Sequence, residues 1–291
     1  MISIIISSAD KTQLHNIKKN IRNTIGIGHE ILSYENEGAR RGICEIYNQG
    51  IKAAKYDMLC FMHEDIEIRT NNWGKIVTDY FHNNPRLGLL GVAGSDSKSS
   101  VAGSWDSLYG TAYINIVQHF KHKDAPPLHI TNPENPKSII NRVAWVDGVW
   151  FCCPKYVARE FPFDENLKGF HGYDIDFSLG IFEKYTVAVC HNILMAHFSE
   201  GRFSNDWLKA MLYISRKRKE QLPILLGPSA TRIRILEKQA FRYLLRRYKK
   251  ELDISFSTGL QILNLSRIRE YGLPLYLKMC YSLVKIIVFN K

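Results

Sequence analysis

The chain of 291 residues contains no uninterrupted apolar run of about 18 residues, the length that a membrane-spanning helix needs. Its first residues, MISIIISSAD, lack the basic start and long apolar core of a secretory signal peptide. Six cysteines are scattered along the chain, without a CxxC pair or a spacing typical of secreted proteins. We therefore expect reduced thiols, a cytoplasmic location and no spanning helix.

Acidic residues are also scarce, because 28 Asp and Glu stand against 39 Lys and Arg and leave a net charge of +11. The basic residues concentrate at 215–220, 231–250 and 266–270. This bias favours contact with a polyanion or an anionic membrane surface, and a solvated helix face is the simpler alternative. The 45% of apolar residues still allow a sizeable core, in one large domain or in a core domain with an appendage.

Strand-like and helix-like segments alternate over the first 200 residues, which predicts a mostly parallel, doubly wound α/β sheet. Residues 95–142 are rich in Ser, Gly, Pro and Asn and predict a mobile loop or short strands outside this core. From about residue 203 the pattern is helical and basic. The predicted strands are 2–7, 30–34, 56–63, 87–94, 142–153 and 186–190, and the predicted helices are 11–24, 39–55, 71–84 and one from about 173.

Polar side chains follow several predicted strands at their carboxyl ends, where open α/β sheets bind ligands. Each of them alone is explained by ordinary loop polarity, but together they predict a site at one edge of the sheet. They are Ser7 and Ser8, Glu35, His63, Glu64 and Asp65, residues 94–96, and His197.

The stretch FMHEDIEI at 61–68 places adjacent carboxylates, Glu64 and Asp65, at the end of a strand. One of them could hold Mg²⁺ or Mn²⁺ while its neighbour contacts a substrate hydroxyl, since hard cations prefer carboxylate ligands. His197 could add a ligand, and its imidazole suits Mn²⁺ better than Mg²⁺. Surface acids and a hydrogen-bonded histidine are the plainer alternatives.

Three further acids are candidates for chemistry. Asp174 and Asp176 lie at the start of a predicted helix, in GFHGYDIDFSLG, where a general base or an acid that complements the helix dipole is expected. Asp147, in WVDGVWF, precedes Gly148, which would let a ligand approach closely. A capping or turn role is the alternative for Asp147.

The order of these pieces resembles family 2 and related glycosyltransferases with the GT-A fold, particularly the bacterial branch whose metal motif is H-[QE]-D. The resemblance implies a GT-A domain with a mixed sheet over residues 1–205. Residues 206–291 carry no resemblance and are expected to be a basic, mainly helical extension. The matching pieces are SIIISS, YENEGARRGICEIYNQGIKAAKYDMLCFMHEDIEI, GLLGVAGS, WVDGVWFCC, FDENLKGFHGYDIDFSL and AHFSEG.

The resemblance implies a nucleotide pocket and a metal site. Asp65 matches the last acid of the D-x-D motif, with Glu64 in the middle and His63 replacing the first Asp. His63 and Glu64 are expected to bind the donor or the acceptor. His197 matches a late metal-binding histidine, so Asp65 and His197 would hold Mn²⁺ or Mg²⁺. Glu67 is expected to be an ordinary surface acid. The base, the ribose and the rest of the nucleotide would meet Ser7, Ser8, Glu35 and Asn48.

The resemblance further implies the catalytic residues. YDID matches E-D-x-D with Tyr173 in place of Glu, so Asp174 would be the catalytic base. Asp147, Gly148, Tyr173 and Asp176 would contact the donor sugar or the acceptor. One base without a protein nucleophile implies inversion, because a double displacement would need a second carboxylate across the sugar, for which Asp176 is a weaker candidate.

The implied function is metal-dependent, inverting sugar transfer from a UDP- or GDP-sugar to a glycan or lipid-linked acceptor, in polysaccharide biosynthesis. A non-catalytic nucleotide-sugar-binding protein is one alternative, because His63 departs from the motif. A nucleic-acid-binding protein is another, with Tyr243 and Tyr248 among the basic residues, but we expect no nucleic acid partner. A sugar-nucleotide pyrophosphorylase would need a Gly-rich phosphate loop, which SSADKTQ lacks. The tail at 271–289 predicts either in-plane contact with anionic lipid at the inner face of the membrane or a packed helix.

Overall fold

The computed structural model describes residues 1–103, 110–121, 124–131, 140–201, 203–227, 230–252 and 254–289. The chain forms two compact units. The first unit comprises Met1–Gly94 and Tyr113–Gly201, and the second comprises Ser95–Ala112 and Arg202–Lys291. The start of the segment that departs from the strand–helix pattern therefore belongs with the C-terminal residues.

The first unit begins with the alternation that the sequence predicts. Strand β1 is rich in β-branched residues and is buried along nearly its whole length, as expected for a strand covered on both faces. Asp10 caps helix α1 by accepting hydrogen bonds from the backbone N–H groups of Thr12 and Gln13. The elements are β1 (Ile2–Ser8), α1 (Lys11–Thr24), β2 (His29–Glu35), α2 (Ile43–Ala53), β3 (Met58–Met62), β4 (Ile66–Ile68), α3 (Trp73–Asn83) and β5 (Leu87–Gly91).

The middle of the chain consists mainly of short strands. The described parts of residues 95–142 include several strands, in agreement with one of the two predictions for this segment. Residues 104–109, 122–123 and 132–139 lie outside the described residues. The elements are β6 (Ala93–Ser95), β7 (Ser97–Lys98), β8 (Ala112–Gln118), β9 (Leu128–Thr131), β10 (Ile140–Arg142), β11 (Trp145–Val146), β12 (Trp150–Pro154), α4 (Lys155–Glu160), α5 (Tyr173–Phe182), β13 (Thr186–Cys190) and β14 (Met195–His197).

The central sheet has seven strands in the order β10-β13-β5-β12-β3-β1-β2. β1 is parallel to β2 and β3, and β13 is parallel to β5. β12 is antiparallel to both of its neighbours, and β10 is antiparallel to β13. The mixed sheet of a GT-A fold is therefore confirmed, and the mostly parallel sheet expected from the strand–helix alternation is corrected. β12 follows the excursion instead of a crossover helix, so nothing requires it to run parallel.

A second sheet brings distant segments to the edge of the first. Its order is β11-β6-β8-β14-β4, with β9 paired to β8. β14 is antiparallel to β4 and parallel to β8, so His197 lies opposite both Ile66 and Gln118. This register places His197 beside the end of the HED stretch.

The described C-terminal residues are mainly helical, as predicted. They form α6 (Asn205–Lys217), β15 (Ile224–Leu225), α7 (Ala230–Leu252), α8 (Phe256–Leu265) and α9 (Leu273–Leu283), which continues as a π-helical turn at Val284–Val288. β15 pairs with β7 inside the second unit. All six cysteines are free. Among the described residues, every helix is too short or too polar to cross a bilayer.

Candidate active site

The carboxyl ends of β1 and β3 border a cleft of about 390 Å³. Ser7, His63, Glu64 and Asp65 line it, so four of the predicted polar residues converge as expected. The cleft also contains residues that the sequence did not suggest, namely Ala9, Gln13, Asn36, Ala39, Ile43, Phe170 and Ser199. A cleft at this edge is where an open α/β sheet binds its ligand.

Three side chains converge on one point beside this cleft. His63 Nδ1 lies 3.8 Å from Asp65 Oδ1, and His197 Nε2 lies 3.7 Å from the same oxygen. One potential ligand atom from each residue lies within 4.8 Å of those of the other two. The sequence predicted Asp65 and His197 for this role, and the structure adds His63.

The hydrogen bonds around the two histidines assign their tautomers. Gln118 donates its amide N–H to the carbonyl oxygens of His119 and Ser199, so its Oε1 faces His197 Nδ1 at 3.1 Å as an acceptor. His197 therefore carries its proton on Nδ1 and leaves a lone pair on Nε2. This Nε2 is buried and has no hydrogen-bond partner in the part of the chain that the structure describes.

His63 has the same kind of arrangement. Its Nε2 lies 2.9 Å from Tyr173 Oη, and that hydroxyl lies 3.1 Å from the carbonyl oxygen of Gly148. The carbonyl can only accept, so both contacts are hydrogen bonds only if Tyr173 donates to Gly148 and His63 donates from Nε2. The lone pair of His63 Nδ1 then faces Asp65.

Protonation also fits a cation at this point. Burial by itself would raise the pKa of Asp65, but His63, His197 and a hydrogen bond from Ser199 outweigh it and lower that pKa. Burial lowers the pKa of His197. An ionised carboxylate and a neutral imidazole are the forms that bind metal ions. The lone pairs of His63 Nδ1 and His197 Nε2 both face the carboxylate of Asp65. His63, Asp65 and His197 therefore fit a divalent metal.

Glu64 points away from this cluster. Its carboxylate accepts hydrogen bonds from the backbone N–H groups of Ala9 at 2.9 Å and Asp10 at 3.1 Å. It thus ties the turn after β3 to the loop after β1. The substrate contact predicted for Glu64 stays a prediction. In the structure, the Glu64 side chain holds together two loops that border the cleft.

Asp174 lies at the start of α5 and remains half-buried. Its two oxygens accept hydrogen bonds from the backbone N–H groups of Gly148, at 3.0 Å, and Ile175, at 2.9 Å. Burial, and after it the charge of Asp147, raise the pKa of Asp174 to about 7. A carboxylate with such a pKa is suited to accept a proton near neutral pH. Asp147 itself accepts a hydrogen bond from Val149 N at 2.9 Å.

Several other predicted site residues make contacts within the protein, and their predicted ligand contacts stay predictions. The hydroxyl of Tyr173 occupies the space beside Gly148. Asn48 is buried, and its amide bonds to the backbone of Phe163 and to Glu165. Ser8 and Asp176 are buried, and Glu35 is exposed and pairs with Lys11 at 3.5 Å.

A known family, described as a glycosyltransferase-like family, matches residues 3–207 of the chain. The chain belongs to this family. The protein is therefore a glycosyltransferase, and the match spans the first unit with its cleft and its His–Asp–His cluster. No curated protein matches this glycosyltransferase.

Solved structures resemble the glycosyltransferase at low sequence identity. Residues 1–349 of TarS from S. aureus match with a TM-score of 0.55 and 11% identity, over 100% of this chain and 92% of that one. A longer TarS structure matches with 0.53 and 13%, over 98% of this chain and 53% of that one. GalNAc-T7, solved with UDP, GalNAc and Mn²⁺, matches with 0.50 and 11%, over 100% and 57%. At these identities the likeness shows the GT-A fold alone.

Proposed function

We propose that this glycosyltransferase catalyses a metal-dependent, inverting transfer of a sugar from a nucleoside-diphosphate sugar to a glycan or lipid-linked acceptor. The observation that carries the metal dependence is the convergence of His63, Asp65 and His197 with the unpartnered Nε2 of His197. GalNAc-T7, a structural neighbour, was solved with UDP and Mn²⁺, which supports a UDP-sugar as donor and Mn²⁺ or Mg²⁺ as the cation. A GDP-sugar is the second donor class that we propose to test.

The donor is proposed to occupy the cleft at the ends of β1 and β3. Ser7, Ser8 and Glu35 would hold the base and ribose, and Asn48 would support them. Tyr173 and Asp176, with Asp147 and Gly148, are proposed near the sugar or the acceptor. A divalent cation held by His63, Asp65 and His197 would offset the negative charge that develops on the departing diphosphate.

Asp174 is proposed to be the catalytic base. Its half-buried carboxylate takes the proton of the acceptor hydroxyl as that oxygen attacks the anomeric carbon. Burial, and after it the charge of Asp147, raise the pKa of Asp174 above that of a free aspartate, which strengthens this role. We propose inversion because Asp174 acts as a single base in this mechanism, without a second carboxylate as nucleophile.

The wider setting is also a proposal. Residues 1–205 would act as the transferase domain and 206–291 as a basic helical extension. We place the enzyme in the cytoplasm of a bacterium, in polysaccharide biosynthesis, with a peripheral contact at the inner face of the membrane. The concentration of basic residues in the last third of the chain supports an anionic surface as the partner.

A non-catalytic nucleotide-sugar-binding protein is the second candidate. The observation in its favour is that both oxygens of Asp174 accept backbone hydrogen bonds. In this alternative Asp174 caps a helix and orders a turn, and the donor binds without being consumed.

Release of the nucleoside diphosphate separates these two candidates. Incubation with a panel of UDP- and GDP-sugars and Mn²⁺ should release UDP or GDP from at least one donor, and a chelator should stop it. Asp174→Asn should lower kcat by at least about a hundredfold while leaving donor binding intact. Asp206→Asn, an exposed acid paired with Lys209, is the matched control. Donor binding without release, in wild type and variant alike, would favour the non-catalytic candidate.

A further inference from the structure

Helix α9 is apolar on two faces, only one of which is covered. Met279, Leu283 and, in the following turn, Ile286 are buried. On another side, Leu273, Leu277 and Tyr281 are 61%, 56% and 66% exposed. These three residues are four positions apart, so they lie along one side of the helix. The exposed side has no protein partner among the described residues.

The apolar exposure continues past α9. Val288 is 59% exposed and Phe289 is 64% exposed. Five of the eleven exposed large apolar side chains of the described residues thus fall between residues 273 and 289. Scattered apolar residues on a surface need no explanation, but a contiguous group marks an interaction site. We call these five residues the α9 face.

Exposed basic residues accompany the α9 face along the chain. Lys278 and Lys285, in the same segment, are exposed. The guanidinium of exposed Arg269 lies 5.9 Å from the ring centre of Tyr276. Between residues 230 and 289 there are twelve Lys and Arg against four Asp and Glu, and one of these acids, Glu237, is buried. A partner of this face would therefore need an apolar interior and negatively charged groups at its surface.

Helix α7 holds α9 from behind. Arg242 Nε donates to Ser282 Oγ at 3.1 Å. Lys249 Nζ donates to the carbonyl oxygens of Ile286 and Ile287, at 2.8 and 3.2 Å. These contacts hold the buried face of α9 against α7. The exposed face therefore cannot turn inward unless these contacts break.

We propose that the α9 face inserts into the interface of a membrane that contains anionic lipids, with Lys278 and Lys285 at the level of the headgroups. An amphipathic helix with apolar residues on one side and lysines beside them binds in this way. A second copy of the chain is a poorer occupant, because an isologous contact would bring the same positive rim against itself. The proposal specifies the surface for the membrane contact that the proposed function includes.

Flotation of the full chain with vesicles tests this surface. Vesicles of phosphatidylcholine and phosphatidylglycerol in equal amounts should carry the protein, and vesicles of phosphatidylcholine alone should not. Leu277→Glu should reduce flotation at least about tenfold, and Lys278→Glu with Lys285→Glu should remove the preference for anionic vesicles. Leu128→Glu is the matched control, because Leu128 is 55% exposed in the first unit, and it should float like the wild type.

Three outcomes would overturn the proposal. The first is equal flotation of the wild type and Leu277→Glu, and the second is no flotation of the wild type with anionic vesicles. The third is a dimer, seen by light scattering, that Leu277→Glu converts to a monomer while vesicles bind neither protein. Release of UDP or GDP from a soluble donor is measured in parallel and should be unchanged in Leu277→Glu, so a failed surface is distinguished from a failed transferase assignment.

A separate observation concerns Tyr173, and it rests on the proposed metal site. Its hydroxyl donates to Gly148 O and accepts from His63 Nε2, at 3.1 and 2.9 Å. The tyrosine is buried, with its ring edge-on to Tyr47, so its hydroxyl is held in place. We infer that Tyr173 is a positioning residue that keeps the proton of His63 on Nε2 and the lone pair of Nδ1 toward Asp65.

Tyr173→Phe keeps the ring and removes the hydroxyl. The ¹⁵N chemical shifts of His63 in the metal-free protein should move away from the Nε2–H tautomer. Mn²⁺ affinity, measured by titration calorimetry, should fall about 10- to 100-fold. Tyr80→Phe, which removes a hydroxyl bonded to Asn192, should change neither. An unaltered tautomer with unaltered Mn²⁺ affinity in Tyr173→Phe would overturn the inference.

Discussion

The two units each contain a cluster of polar side chains in a buried setting, but the clusters differ in how far their atoms are satisfied. In the second unit, Glu237 accepts hydrogen bonds from Ser99 Oγ at 2.6 Å, from Ser100 N at 2.9 Å and from Ser100 Oγ. The buried ammonium of Lys98 donates to the carbonyl oxygens of Ser99 and Val101. In the first unit, His197 Nε2 has no hydrogen-bond partner among the described residues, and it faces Asp65 together with His63 Nδ1.

This difference separates a structural cluster from a ligand site. A buried polar group costs free energy unless it is hydrogen-bonded, so a satisfied cluster is complete as it stands. A cluster whose lone pairs converge without a donor is suited to a cation. The direction of a pKa shift does not make this distinction, since burial raises the pKa of Glu237 and of Asp174 alike. Solvent access separates these two acids, because Glu237 is fully buried and Asp174 is only half-buried.

The largest effect is expected from Asp65→Ala, which removes the one carboxylate of the His–Asp–His cluster. Release of UDP or GDP should fall about a thousandfold or more, because a bound cation contributes several kcal/mol of charge stabilisation. Mn²⁺ binding, followed by titration calorimetry, should be lost. Wild-type release by the variant would show that the cluster is not a functional metal site.

Asp174 should set the pH dependence of the reaction. Its pKa of about 7 means that the base is protonated below pH 7, so kcat should rise as the pH passes through 7 and then level off. The folded state holds a proton that an unfolded aspartate releases near pH 4, so this group's contribution to stability is lost between about pH 4 and pH 7.

Asp174→Asn should therefore remove both the rise in kcat and the loss of stability between about pH 4 and pH 7. Both are read from pH profiles, one of nucleoside diphosphate release and one of the melting temperature. A wild-type profile that is flat between pH 6 and 8 would contradict Asp174 as the base.

Glu237→Ala should act on stability and leave the chemistry alone. The substitution removes the negative charge beside the buried Lys98 and the hydrogen-bond acceptor of the Ser99 and Ser100 hydroxyls. The free energy of unfolding should therefore fall by about 3 kcal/mol. Urea unfolding measures this loss, and Glu251→Ala, at an exposed position of α7, should change it by less than about 0.5 kcal/mol. Equal stability of the two variants would remove the distinction between the clusters.

The smallest effect is expected from Glu67→Gln. Glu67 lies two residues after Asp65 but is exposed, and its nearest cation, Arg69, is 3.9 Å away. Such pairs contribute little, so release rates and melting temperature should match the wild type. A tenfold loss of release would mean that the acids of HEDIE act together and that the cluster is larger than three residues.

The sequence predicted the strand–helix alternation, the convergence at the carboxyl edge and two of the three clustered residues. Apolar runs and polar strand ends are local signals, so they could be recognised without coordinates. The role of His63 could not, because its tautomer depends on Tyr173, 110 residues away. Gln118 was equally hidden, since it faces His197 only through the pairing of β8 with β14.

The sequence also could not show which side chains already form hydrogen bonds within the protein. Glu64 belongs to the HED motif, yet its carboxylate is engaged by the backbone of Ala9 and Asp10. The amide of Asn48 is engaged by Phe163 and Glu165, more than 100 residues further along the chain. A motif gives the residue types at a site, and long-range contacts decide which of them are available to a ligand. Ser199, in AHFSEG, could have been suspected because it follows the candidate ligand His197 by two residues.

The central claim is that a nucleoside diphosphate binds through a cation held by His63, Asp65 and His197. Thermal unfolding of the wild type and of Asp65→Ala, with UDP or GDP in the presence and absence of Mn²⁺, tests it most directly. At a nucleotide concentration about 100 times Kd, the nucleotide should add about 2.7 kcal/mol to the stability of the wild type in the presence of Mn²⁺ and nothing in its absence. Asp65→Ala should gain nothing from the nucleotide under either condition. Equal stabilisation of both proteins, or stabilisation of the wild type without Mn²⁺, would contradict it.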